Sequence, residues 1–159
     1  MSRTYRRILV RIGLTLGLVL ASITFVASPA SAHTLREAVV SAQGCDWPNG
    51  QYTQLTREDL WDDRNNIPLG EVYVLWSGSY QENCVVTLRV GRADGVASYT
   101  EAVLERQGMS TVRDEGNYAH YAAASGYAAG TCIRWTGSIG AIYGGGIYGT
   151  TTTQWRYCD

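Results

Sequence analysis

Four cysteines restrict the possible folds of this 159-residue chain more than any other feature. An even number of cysteines, all placed beyond an export leader, is typical of disulfides rather than free thiols. No two of them lie within four residues of each other, and neither histidine stands at ligand spacing to them, which disfavours a zinc site. We therefore predict two disulfides. Three pairings are possible, and we favour the one that joins neighbours along the chain: Cys45 with Cys84 and Cys132 with Cys158.

The first 32 residues have the order of a secretory signal peptide. Four arginines precede an apolar run at 12–26, and Ala30-Ser31-Ala32 forms a small-residue cleavage box. The run is 15 residues long, short of the roughly 20 needed to span a bilayer. We predict that cleavage after Ala32 releases residues 33–159 as a single secreted domain with no membrane anchor. Arg6-Arg7 is compatible with twin-arginine export, so the choice between the Sec and Tat routes stays open.

The composition of residues 33–159 disfavours a nucleic-acid partner. Four of the thirteen basic residues leave with the leader while all fourteen acids stay, so the net charge becomes −5, and few cations are left to neutralise phosphates. The same region holds ten tyrosines and five tryptophans but no phenylalanine. Aromatic side chains with a polar end suit partly wet positions, on sheet faces or on binding surfaces.

Hydrophobic patterning predicts one helix near the start of this region and strands after it. Thr34 and Glu37 form a capping box, and Gly44 is placed to end the helix. Residues 71–76 and 84–90 alternate apolar and polar positions around a polar turn, which predicts a hairpin.

Weaker signals complete the predicted fold. The stretch "LTREDLWDDRNN" allows a helical turn that Pro68 would end, and 99–106 fits either a strand or a helix. Further strands are expected at 118–127, 131–135, 139–143 and 154–158, with a glycine- and threonine-rich hairpin or ribbon at 137–153. Short strands between glycine and asparagine turns indicate a mainly β fold, a small disulfide-stapled β-sandwich or barrel with a short N-terminal helix.

The stretch "DEGNYAHY", residues 114–121, concentrates acids, phenols and one of the chain's two histidines. A Gly-Asn pair before a tyrosine is what a turn entering a strand requires. We therefore expect a structural turn there, and we expect Tyr118 to matter more for stability than His120.

Several segments resemble the small actinobacterial exported proteins called spore-associated protein A. The similar segments are "ENCVVTLR" (82–89), "DEGNYAHYA" (114–122), "GTCIRWTGSIG" (130–140) and a cysteine one residue from the C-terminus. They occur in the family's order, and together with Cys45 they give the family's four cysteine positions, although Thr136 stands where the family usually has glycine. The resemblance implies a secreted protein found at spores or the cell surface, with no established catalytic activity.

Exposed aromatic side chains could give this protein a carbohydrate- or cell-wall-binding role. Flat aromatic faces stack on sugar rings, and small secreted β-sandwiches often act as binding modules. The candidates are Tyr73, Trp76, Tyr118, Tyr121, Trp135 and Trp155. Trp135 shares a strand face with Ile133, which favours a place in the core for that residue.

A copper site is the sharpest enzymatic hypothesis. Cleavage after Ala32 makes His33 the first residue, and a terminal amine with its own imidazole and a second histidine is the copper-binding arrangement of lytic polysaccharide monooxygenases. His120 is the only other histidine, and imidazole suits copper. If His33 and His120 lay more than about 10 Å apart, they could not share an ion, since metal–nitrogen bonds are near 2 Å.

Hydrolase chemistry finds less support, because no "GxSxG" motif is present and the cysteines are assigned to disulfides. The reading that we favour from sequence is a secreted, non-enzymatic protein of the spore or cell surface, without catalytic residues, bound metal or cofactor. The partner we expect is a cell-wall or spore-surface glycan. A carbohydrate-binding module and a copper-dependent polysaccharide oxidase using His33 and His120 are the alternatives.

Overall fold

A computed structural model describes residues 33–158, whose strands form two antiparallel sheets of four. The signal-peptide prediction concerns residues outside this range. The elements are α1 (Leu35–Val40), β1 (Thr53–Asp62), β2 (Ile67–Ser77), β3 (Glu82–Arg89), a 3-10 turn (Gly91–Ala93), β4 (Ser98–Arg106), β5 (Val112–Tyr118), β6 (Tyr121–Tyr127), β7 (Ile133–Gly140) and β8 (Ile147–Thr151). The predicted mainly β, disulfide-stapled sandwich with a short N-terminal helix is confirmed.

The strand order places consecutive strands β5 and β6 in different sheets. The first sheet runs β1-β2-β3-β6 and the second runs β5-β4-β7-β8. Side chains from both sheets meet in the main core, including the fully buried Val72, Leu104 and Ile139. The chain therefore crosses from one sheet edge to the other at the short corner between Tyr118 and Tyr121.

The β2–β3 hairpin forms as its alternation predicts. Val74 lies opposite Val85, and the pairing continues without a break along β3. Val85 faces the main core, while Cys84 and Val86 point to the outer face of the first sheet. A second core covers that outer face, built from the chain before β1.

This second core holds the N-terminal segment in place. Trp47 is fully buried there, and its indole Nε1–H donates to Glu82 at 2.9 Å. The Cys45–Cys84 disulfide ties the segment to β3, and a Cys132–Cys158 disulfide ties the C-terminus to the chain before β7. Both favoured pairings are thus the ones observed.

The predicted capping box of α1 is also present. Glu37 N–H donates to the Thr34 hydroxyl at 3.2 Å, and Thr34 N–H donates to the Glu37 carboxylate at 2.6 Å. The helix ends at Val40, earlier than the predicted stop at Gly44. Gly44 instead lets the backbone pass close to Ala38, because a Cβ at this position would stand 1.7 Å from the Ala38 carbonyl oxygen.

The prediction of a helical turn in "LTREDLWDDRNN" is wrong, because this stretch forms β1. Leu60 and Asp62 are buried while Trp61 is exposed, the alternation of a strand. Pairing with β2 supplies the hydrogen bonds that a helix would have supplied. Pro68 lies opposite Trp61, next to a register shift in the ladder, and does not end an element.

The segment 99–106, which fitted either a strand or a helix, is a strand. The three strands expected at 131–135, 139–143 and 154–158 need correction. The first two are one continuous strand, β7. The strand expected at 154–158 reduces to a single bridge between Ile133 and Arg156. The glycine- and threonine-rich ribbon is the β7–β8 hairpin.

Candidate metal centre

The stretch "DEGNYAHY" is a strand followed by a corner, which corrects the prediction of a turn at Gly-Asn. Gly116 and Asn117 pair with Thr100 and Tyr99 inside β5. The bend comes two residues later, at Ala119 and His120, where the chain leaves the second sheet for the first. The corner therefore presents His120 at an end of the sandwich.

Asp114 and Tyr118 fix this corner from inside. The Tyr118 hydroxyl donates to Asp114 Oδ1 at 2.6 Å, and Ala123 N–H donates to Asp114 Oδ2 at 2.9 Å. The carboxylate thus joins β5 to β6. Its hydrogen bond is also the main reason why the pKa of Tyr118 is raised above the usual phenol value.

The loop after β3 approaches the corner from the other side. Arg89 N–H donates to the His120 carbonyl at 2.8 Å, and Gly95 N–H donates to the Ala119 carbonyl at 2.8 Å. These backbone bonds place Asp94, in the middle of the loop, beside His120. His120 Nδ1 and Asp94 Oδ1 are 2.9 Å apart.

A buried arginine supports this loop from below. The Arg89 side chain is fully buried, and its Nε–H donates to the Ala93 carbonyl at 2.9 Å. Its Nη1 donates to the hydroxyls of Ser98 and Thr100, at 2.8 and 3.0 Å. Burial lowers the pKa of the guanidinium, and the charge of Asp94 opposes that change. The loop that carries Asp94 is therefore anchored in the interior.

His33 completes the cluster from the N-terminal segment. The rings of His33 and His120 stack with centroids 3.6 Å apart and planes inclined by 26°. The backbone nitrogen of His33 donates to Asp94 Oδ2 at 3.3 Å. The sequence-derived requirement that the two histidines lie within about 10 Å is met.

The three residues offer ligand atoms that all lie within 4.8 Å of one another. Asp94 uses one oxygen for each histidine. Its Oδ1 contacts His120 Nδ1, the usual arrangement of an outer carboxylate that orients a metal-binding imidazole, and its Oδ2 accepts from the backbone N–H of His33. His33 Nδ1 is buried and makes no hydrogen bond to any residue in the range 33–158. With His120 Nδ1 engaged by Asp94, Nε2 is the nitrogen of that ring left for a metal ion. Because the rings are stacked, the His33 ring must turn for both nitrogens to point at one ion.

Space for that rotation exists in front of the rings. An open pocket of about 720 Å³ lies there. Its lining residues are His33, Glu37, Ser41, Gln43, Asp114, Tyr118, Ala119, His120 and Tyr121. Both acids of the lining are engaged, since Glu37 caps α1 and Asp114 holds the corner. The hydrogen bonds from Thr34 lower the pKa of Glu37.

The six aromatic candidates are not brought together. Tyr118, the last residue of β5, and Tyr121, the first residue of β6, line this pocket from the two sides of the corner. Two of the others, Tyr73 and Trp135, are buried, with 9% and 4% exposure, too little for stacking on a sugar. Trp76 is half-buried elsewhere, beside Tyr52 and Tyr157. Trp155 is exposed and lies under the Arg134 guanidinium.

Comparison with known proteins adds no relative to this description. No family model matches the chain, and neither the curated proteins nor the solved structures contain a match. The resemblance to spore-associated protein A stays a sequence-based proposal.

Sequence reasoning named His33 and His120 but missed Asp94 and Arg89. Asp94 belongs to "RADG", which predicts only a turn, and Arg89 is a polar position in the alternation of residues 84–90, which gives no reason to expect its burial. The one sequence signal that could have drawn attention to this end of the sandwich is that Arg89 shares a strand face with Val85, an apolar residue of the main core.

Proposed function

We propose that the mature protein is a secreted, non-enzymatic protein of the cell or spore surface that binds one copper(II) ion through the imidazoles of His33 and His120. The observation that carries the proposal is the meeting of the chain's only two histidines over one carboxylate, Asp94. Two residues of one type, 87 positions apart in a chain of 159, come together at one corner. Among divalent first-row ions, copper(II) binds nitrogen ligands most tightly.

The chemistry of the surrounding side chains favours binding over turnover. Glu37 and Asp114 are the two carboxylates that line the pocket, and each is committed to hydrogen bonds that maintain the fold. A general acid or base has to exchange protons with a substrate. These two groups could do so only by giving up the helix cap or the corner.

Secretion is the part of the proposal that concerns location. Two disulfides suit an oxidising compartment. Within residues 33–158 no helix has the length and apolar character needed to cross a membrane. The signal-like first 32 residues and the resemblance to spore-associated proteins support the surface assignment.

Calorimetric titration tests the proposal directly. The chain beginning at His33, with its disulfides formed, is titrated with copper(II) and with zinc(II). We expect a single copper site with a Kd below about 1 μM, equivalent to more than about 8 kcal/mol of binding free energy. His120→Ala should abolish it, and Asp94→Asn should weaken it by about 10–100-fold, as the loss of an outer-shell partner does.

The matched control is Glu115→Gln, which removes a carboxylate from β5 that pairs with Arg113 and Tyr99 rather than with the histidines. This variant should bind copper as the wild type does. Micromolar or weaker affinity in the wild type, or equal affinity in His120→Ala, would overturn the proposal.

A second candidate places a cell-wall or spore-surface glycan in the same pocket. The observation in its favour is that Tyr118 and Tyr121, two of the aromatic candidates, line the pocket together with the hydrogen-bonding side chains of Ser41 and Gln43. The mature protein would be incubated with cell wall, chitin and cellulose. Retention that is lost in Tyr121→Ala but kept in Tyr143→Ala, a change at an exposed tyrosine on the β7–β8 turn, would support a glycan-binding module.

A further inference from the structure

A second cleft lies at the end of the sandwich away from the histidine corner. It consists of two cavities, of about 160 Å³ and about 310 Å³, and Trp76 lines both of them. We propose that this Trp76 cleft binds one or two rings of an uncharged carbohydrate, with the indole as the platform. The proposal goes beyond the copper site and does not depend on it.

Strand β3 runs between the cleft and the histidine corner. Asn83, near the start of β3, lines the cleft, whereas Arg89, at the end of β3, donates its backbone N–H to the His120 carbonyl. The strand from 83 to 89 spans about 20 Å, at roughly 3.3 Å per residue. A small ligand in the cleft therefore does not contact the histidines.

Trp76 offers a ligand both an apolar face and a hydrogen-bond donor. Its backbone is held in the middle of the first sheet, between Thr53 of β1 and Asn83 of β3, while its side chain is half-buried. The indole Nε1 lies toward Gly78, 3.9 Å from where a Cβ on that glycine would stand. This N–H group finds no acceptor among residues 33–158 and is not enclosed.

Asn83 adds a hydrogen-bond acceptor at the inner side of the smaller cavity. The residue is only 2% exposed, and its Nδ2–H donates to the Leu75 carbonyl at 3.0 Å, which fixes the amide. Its Oδ1 accepts no hydrogen bond from residues 33–158, although the side chain lines the cavity. Buried polar atoms are normally paired, and a ligand hydroxyl in this cavity can supply the missing donor.

The wall opposite the indole is formed in advance of binding. The Tyr157 hydroxyl donates to the Leu55 carbonyl at 3.1 Å, and the Tyr157 ring stacks on Trp135 with centroids 5.9 Å apart. The backbone of Tyr157 has a φ of 52°, in the left-handed region that bulky residues rarely adopt. A wall held in this way lowers the ordering cost of binding.

The side chains around the cleft select the class of ligand. Among the described residues that line the two cavities, none is acidic or basic. An ionised ligand would lose water there without gaining a counter-charge. A pyranose ring has a C–H face that can pack on the indole, and hydroxyls that both donate and accept. It therefore matches the Trp76 face, the Trp76 N–H and Asn83 Oδ1 together.

A proline-rich peptide is the main rival, because such peptides dock on grooves lined by aromatic side chains. Proline has no N–H group, so that Asn83 Oδ1 would stay unpaired beneath it. The buried amide thus favours a ligand that carries hydroxyls.

Nuclear magnetic resonance of the mature, metal-free protein tests the proposal at single residues. The mature chain holds five tryptophans, each with one indole N–H signal, and Trp76→Phe identifies the signal of Trp76. The probes are two neutral oligosaccharides, cellohexaose and N-acetylchitohexaose, together with anionic hexagalacturonate and decaproline. We expect at least one neutral oligosaccharide to shift the Trp76 signal with a Kd below about 1 mM, while the signal of the exposed Trp61 stays in place.

Substitutions then separate the platform from the fold. Trp76→Ala should weaken binding by at least about tenfold, because aromatic anchors supply a large share of binding free energy. Trp76→Phe keeps a flat ring but lacks the N–H donor, and should weaken binding by a few-fold. The matched control is Trp61→Ala, which removes an exposed indole from β1 and should bind as the wild type does. The spectrum of each variant reports whether it is folded.

Three results would overturn the proposal. The first is no shift of the Trp76 signal with either neutral oligosaccharide, or an equal shift at Trp61. The second is tighter binding of hexagalacturonate or decaproline. The third is binding that survives in Trp76→Ala but is lost in Tyr121→Ala, which would place the glycan in the pocket beside His120. Because the protein is metal-free, failure of the copper proposal would leave these outcomes unchanged.

Discussion

Tyr118 and His120 are separated by one residue, yet they contact different parts of the molecule. Tyr118 packs against the main core and donates to Asp114, which joins the two strands of the corner. His120 is half-exposed and contacts Asp94 and His33. At the scale of single residues, stability and metal binding are therefore separable.

We predict that Tyr118→Ala lowers the free energy of unfolding by about 2 kcal/mol, since it removes both packing and a hydrogen bond to a charged group. His120→Ala should cost less than about 1 kcal/mol, because His120 is half-exposed and Asp94 keeps its hydrogen bond from the His33 backbone N–H. Chemical denaturation of the metal-free proteins measures both. A larger loss in His120→Ala than in Tyr118→Ala would show that the histidine pair, and not the tyrosine, holds the corner.

Asp62 gives the fold a pH dependence of its own. Its side chain accepts hydrogen bonds from the Asn65 amide and the Tyr148 hydroxyl, each at 2.8 Å, and these bonds hold the pKa of the carboxyl below its ordinary value of 3.8. A carboxyl with a lower pKa in the folded state stabilises the fold above its unfolded pKa and loses that contribution as the pH falls.

We predict that thermal stability decreases as the pH drops below the ordinary carboxyl range, and that this decrease is smaller in Asp62→Asn. Asp63→Asn, a change at the exposed neighbouring residue, is the matched control and should keep the wild-type profile. Thermal unfolding followed between about pH 2 and 7 measures the effect. A profile for Asp62→Asn that parallels the wild type would show that this carboxyl does not contribute.

Among the elements, the β2–β3 hairpin could be predicted because one local pattern, alternation around a polar turn, agrees with its pairing. The strand β1 could not be predicted in this way, because Thr56 and Asp59 have the spacing of a helix cap. Its partner strand β2, which contains Pro68, lies further along the chain. The corner was misplaced for a similar reason. Gly116 and Asn117 are ordinary turn residues, but the crossing between sheets decides where the chain bends.

The two disulfides belong to different elements, which allows a test of how the site is held. Cys45–Cys84 anchors the segment that carries His33, whereas Cys132–Cys158 closes the far end of the chain. Replacing either pair by serine should cost about 2–4 kcal/mol of stability. We predict that only loss of Cys45–Cys84 also weakens copper binding, by about tenfold or more, because it frees His33 from the outer face of the first sheet.

Titration of both double variants with copper(II), at a temperature where each remains folded, checks this prediction. The Cys132→Ser/Cys158→Ser protein serves as the control for general destabilisation. Equal loss of affinity in the two proteins would mean that copper binding follows overall stability rather than the anchoring of His33.

At the scale of the whole molecule, the candidate site joins three segments that are distant in sequence. His33 and Asp94 are 61 residues apart, and Asp94 and His120 are 26 apart. The sequence predicted the sandwich, the disulfides and the two histidines as a possible pair. It could not predict Asp94, because the position of a loop residue depends on the sheet crossing and on the buried Arg89 beneath it.

The central claim is that His33 and His120 bind the same copper ion, and electron paramagnetic resonance of the copper(II)-loaded mature protein tests it most directly. Pulsed spectra report the imidazole nitrogens coupled to the ion. We predict coupling to two imidazoles in the wild type and in Glu115→Gln, and loss of this two-imidazole signal in His120→Ala. A single imidazole in the wild type, or a spectrum unchanged by His120→Ala, would contradict the claim.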